Sequence, residues 1–259
     1  MDKKRVIFFG TDTLQGIGAE WPRIAIDCKY VPKELLPANW EAFMKKSKFN
    51  FEVIQKEYKR ICDLYGFAKD LPEVVEFRKG KNWPMLVENN FKDTVEVLVP
   101  KLNGQSLFTL SFNLISGIVY EDFDLHDLED TAVILALPDA KNDIMYRAVP
   151  GQDNLENITI WNYALTISRI RQYVEDRGGN FYYFHLEDWP KELYDDRLNP
   201  LLHHIKESLL FENSLYSYVP GDILKRKYNG FHLDGLAHNN IKDIFIQVMK
   251  KNQHLNLFK

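Results

Sequence analysis

The stretch VIFFGTDTLQG, residues 6–16, decides how the chain is read. Four apolar residues, Val6 to Phe9, run into Gly10, and a short polar loop follows before Gly16. A continuous apolar run of this length, bounded by turn residues, predicts a strand buried on both faces. Such strands belong to parallel sheets that are covered by helices on each side. The glycine at the strand's end then marks a tight exit, where the backbone presents polar groups at the edge of the sheet.

The rest of the chain repeats this grammar. DTVEVLVP (93–100) and DTAVILALP (130–138) predict a second and a third strand, each stopped by proline. Residues 157–177 predict the longest helix, with Ile160, Tyr163, Ile167, Ile170 and Val174 on one stripe and Gly178-Gly179 as its stop. NFYYFHL (180–186) predicts a fourth strand. A shorter helix is expected from Trp83, with Pro84 in its first turn. The stripe Ile241, Ile244, Phe245 and Val248 predicts a last helix after the loop NGFHLDGLAHNN. Strand and helix in alternation predict one α/β domain, with a mostly parallel sheet between two helical layers. Residues 37–66 are charged and helical in pattern, so 27–82 reads as a helical insertion. In open sheets of this kind ligands bind at the carboxyl ends of the strands. The loops after Phe9, Pro100, Leu137 and Leu186 therefore share one rim, with FHLDGLAH as a further contributor.

Composition narrows the function classes. Of the 259 residues 45% are hydrophobic, enough for a sizeable core, and the net charge of −4 offers no basic surface for nucleic acid or membrane lipid. The longest apolar runs fall far short of the about 20 residues that span a bilayer. Met1 to Arg5 followed by VIFF superficially matches the start of a signal peptide. The apolar part stops at Gly10 without a small-residue cleavage site, so the expectation is no signal peptide and a cytoplasmic or virion location. Two cysteines, Cys28 and Cys62, form no CxxC motif. A zinc site is not expected, and neither is a cofactor. Asp12, Asp139, Asp234 and His238 are of the right type for a hard cation, yet their spacing demands none.

The loop GTDTLQG lacks the Gly-Lys-Ser/Thr ending of a Walker A loop and the Gly-x-Gly-x-x-Gly of a dinucleotide site. Its surroundings instead fit acyl transfer, which needs a nucleophile, backbone donors for an oxyanion, and a histidine oriented by an acid. FFGTDTLQGIGAEWP, VLVPKLNGQS and LDGLAHNNIKDIFIQVM stand in the order and flanks of the SGNH/GDSL hydrolases. The chain resembles that family, and WPMLVENNF and YVEDRGGNFYYFHLEDWP are similar to its phage-type members. The resemblance implies a flavodoxin-like fold and an ester-hydrolase site. In it Asp234 and His238 stand as acid and base, Gly104 as the oxyanion glycine, and Gly10 as the glycine opening the nucleophile loop.

Several catalytic types are replaced. Asp12 occupies the nucleophile's position, and Thr13 offers a hydroxyl only after a one-residue slip. ALPD replaces the Gly-x-Asn-Asp block, so Pro138 stands for the asparagine and nearby Asn142 is the remaining amide. Asp234 and His238 are four apart instead of three. Both readings of each residue stay open here. Asp12 and Thr13 are nucleophile candidates or structural groups at a helix start, and His238 is a triad base or a partly exposed histidine preceding the last helix. Two functions follow: an SGNH-like module with an eroded site, serving as a structural or binding component of a virion or other assembly, or an active O-acetyl or acyl esterase. The expected ligand is a carbohydrate or acyl ester.

Overall fold

The computed structural model describes residues 3–10, 14, 46, 53, 56, 60, 80–99, 107, 111, 127–137, 155–187, 205–225, 227–228, 232–233 and 235–258. Four strands, β1 (Lys4–Gly10), β2 (Val95–Leu98), β3 (Ala132–Leu137) and β4 (Asn180–His185), form one sheet in the order β2-β1-β3-β4. All three pairings are parallel. The expected strands are present, and their carboxyl ends lie along one edge.

Alternation along the strands sorts the core into two layers. Val6 and Phe8 of β1, Ala132, Ile134 and Ala136 of β3 and Phe184 of β4 face one layer. It is filled by helix α1 (Trp83–Phe91) and by the last long helix, which runs Gly235–Lys251. Ile7, Phe9, Val133, Leu135, Leu137, Phe181 and Tyr183 face the other, filled by helix α2 (Leu155–Glu175). Helices on both faces of a parallel sheet make this an α/β fold. The predicted stripe of α2 is buried at Tyr163, Ile167, Ile170 and Val174. Each such side chain contributes about 1.5–3 kcal/mol relative to exposure.

The stop of α2 is a Schellman cap. Gly178 takes a left-handed φ of 80°, its amide donates to the Glu175 carbonyl, and the Gly179 amide reaches back to the Val174 carbonyl. The edge strand β2 is guarded from α1: the Val97 amide donates to Glu88 Oε1 at 3.4 Å.

Beyond β4 the chain adds a one-residue parallel bridge, Tyr183 with Leu209. A short helix α3 (Gly221–Leu224) follows, then a small antiparallel pair, β5 (Lys227–Tyr228) with β6 (His232–Leu233), and the long helix Gly235–Lys251, which is α4. A 3-10 turn, His254–Phe258, closes the described chain. There the Phe258 carbonyl accepts the Thr94 hydroxyl at 2.7 Å, tying the chain's end to the start of β2.

Most of 27–82 lies outside the described residues. Within it Lys46, Val53, Lys56 and Arg60 are helical and exposed, in line with the helical pattern read there. Among the described residues no helix is long and apolar enough to cross a membrane.

Candidate functional site

The carboxyl edge of the sheet is where the strand order reverses. From β1 the chain reaches β2 on one side and then β3 on the other, so the crevice between β1 and β3 is the topological switch point. Gly10 and Ala136 face each other there. A Cβ built on Gly10 would lie 2.2 Å from the Ala136 carbonyl oxygen, and its φ is +149°. Only glycine fits this close approach, so the glycine that ends VIFFG is demanded by strand packing.

The first turn of α1 stands at the same edge. The Trp83 ring lies 5.4 Å from Phe8 and 6.1 Å from Phe184, near the carboxyl ends of β1 and β4. The amides of this turn can be counted one by one. Met85 N–H donates to the Asn82 side chain at 2.9 Å, which makes Asn82 the N-cap, and Leu86 N–H donates to the Asn82 carbonyl at 3.0 Å. Pro84 has no N–H to place. The remaining amide, Trp83 N–H, donates to His238 Nδ1 at 3.2 Å, across 155 residues of sequence. A buried amide without an acceptor costs about 1–3 kcal/mol, so His238 closes a real deficit.

This corrects the expectation for His238. It lies inside the first turn of α4, not before it, and has no exposed surface at all. Its flanks explain the burial: Ala237, Ile241 and Phe245 share its helical face, and all are buried.

The bond also fixes the ring's chemistry. An amide donor requires a lone pair on Nδ1, so the proton of the neutral imidazole sits on Nε2. A triad base needs the reverse, with Nδ1–H donating to an acid and a lone pair on Nε2 facing the nucleophile.

A second histidine was not singled out from the sequence. His185 ends β4, in register with Leu137, and is 2% exposed. The Tyr183 ring meets it edge-on at 5.9 Å. Burial pushes its pKa down to about 3, so it is neutral at ordinary pH. Burial likewise raises the Tyr183 hydroxyl far above its usual range. The period-2 pattern of NFYYFH, which puts positions 181, 183 and 185 on one buried face, was the signal available.

Gly10 and His238 thus both belong to the carboxyl edge. Asp12, Thr13, Gly104, Asn142 and Asp234 lie outside the described residues, as do Pro138 and Asp139; Leu14, just beyond the loop, is buried in the α1/α4 layer. Among the described residues no three His, Cys, Asp or Glu side chains gather as a metal-binding group. In comparisons with known proteins the chain matches no family model, no curated protein and no solved structure.

Proposed function

We propose that this chain is an SGNH-like α/β module without hydrolytic chemistry, serving as a structural or binding component of a larger assembly. The observation that carries the reading is the Trp83–His238 bond. The histidine aligned with the family's base spends its Nδ1 lone pair on closing a helix terminus inside the core. In that state it offers Nε2–H as a donor and has no lone pair for a nucleophile's proton. The sequence supports the same direction, with Asp12 at the serine position and Pro138 at the asparagine. The strand order β2-β1-β3-β4, continued by the Leu209 bridge, fits the doubly wound arrangement that flavodoxin-like folds share. The assembly role extends the phage-type resemblance, with virion proteins as the expected partners.

Turnover of a panel of acyl and O-acetyl esters tests the reading. The expected result is no hydrolysis above buffer, with the chain recovered stoichiometrically in its particle. Ester turnover that disappears in Asp12→Ala or His238→Asn contradicts it and favours the esterase.

A further inference from the structure

We propose that the His238 imidazole is an acid-released latch holding the first turn of α1 against α4. When neutral, Nδ1 accepts the Trp83 amide across 3.2 Å. When protonated, Nδ1 carries a hydrogen, and the two nitrogens face each other donor to donor. The bond is lost, and a charged ring is left in a place with no exposed surface. Both effects favour the same response: the start of α1 parts from α4 and lets the imidazolium reach water. The Asn82 side chain cannot hold the contact in its place, because it caps Met85 within α1 itself.

Among the described residues, the charged groups of the surrounding elements are engaged elsewhere or lie outward. On α1, Glu88 accepts the Val97 amide of β2, and Lys81 is exposed just before the helix. On α4, Lys242 pairs with Asp243 at 2.7 Å. On α3, which packs against α4, Asp222 is exposed, and so is Lys225 just beyond it. His254 stands in the 3-10 turn that follows the far end of α4. From the sheet and the turn after it, the same layer receives Tyr182, whose hydroxyl burial keeps protonated, and the hydroxyls of Tyr216 and Tyr218.

The latch rests on the Trp83–His238 bond and not on the absence of hydrolysis. An ester assay tests that reading and amide exchange tests this one, so the two fail separately. Hydrogen exchange of the full chain is followed across a pH series, corrected for the intrinsic pH dependence of exchange. It is read at the peptide covering 82–87 and at the peptide covering β2. Protection of 82–87 is expected to fall about tenfold or more toward the acid end of the series, while β2 stays protected. His238→Asn, whose Oδ1 replaces Nδ1 as an acceptor that does not titrate, keeps the protection throughout. His238→Ala lacks it at every pH.

A wild-type chain in which both peptides lose protection together, or neither does, overturns the latch. A fall in His238→Asn parallel to wild type overturns it as well. If neither variant folds, the wild-type series decides alone by the same criterion.

Discussion

Gly10 and Ala136 approach so closely at the carboxyl ends of β1 and β3 that a methyl group on Gly10 would sit 2.2 Å from the Ala136 carbonyl oxygen. The clash is with backbone inside a parallel pairing, so no side chain can swing away to relieve it. Gly10→Ala is expected to cost about 3 kcal/mol or more, from the clash together with the positive φ. Gly80 has nothing within 4 Å of its own Cβ position. Gly80→Ala should stay within about 0.5 kcal/mol of wild type. Urea denaturation of the two variants checks this. Equal stability of both would mean that β1 and β3 do not meet as described.

The end of the chain is a second test of the packing. Phe258 is buried, stacks on Phe91 at 5.1 Å and meets Phe245 edge-on at 6.3 Å. Phe258→Ala should lose about 3–5 kcal/mol through transfer and cavity terms. Thr94→Val, which removes only the hydroxyl that donates to the Phe258 carbonyl, should lose about 1 kcal/mol. Thermal or chemical unfolding ranks the two. A Phe258→Ala protein as stable as wild type would detach the C-terminal turn from the sheet.

His185 makes stability depend on acid. Its folded pKa of about 3 lies below the ordinary histidine value of 6.5, so the unfolded chain binds the proton more readily. The contribution is complete above about pH 6.5 and is lost as the pH falls toward about 3, at no more than about 1.4 kcal/mol per pH unit. His185→Leu removes this component. The difference in urea midpoint between variant and wild type should therefore shift in the variant's favour as the pH falls. A difference that stays constant from neutral to acid pH would show His185 to be open to solvent.

Much of this fold was readable from local pattern, and the site was less so. Runs such as VIFF and AVILAL are apolar at every position because both faces of a central parallel strand are covered. The pattern alone therefore gave strands, layers and the shared edge. Strand order and the Leu209 bridge depend on which crossover packs where, and no short window contains that. The same division runs through His238. Counting back from Ile241 and Phe245 by helical turns reaches Ala237 and His238, so its burial was available from the period. Its partner was not, because Asn82-Trp83-Pro84 advertises a helix start but not the distant acceptor that its Trp83 amide requires. The loop GTDTLQG divides likewise: the packing of Gly10 against Ala136 is explained, while Asp12 and Thr13 lie outside the described residues.

His238 accepts a backbone amide and so has the wrong proton for a triad base. Nitrogen-15 NMR of the histidine-labelled chain at neutral pH tests this most directly, with His238→Asn identifying the resonance. The expected result is an unprotonated Nδ1, hydrogen-bonded to the Trp83 amide, and a proton on Nε2. A proton on Nδ1, with the lone pair on Nε2, would contradict it and return His238 to the role of general base.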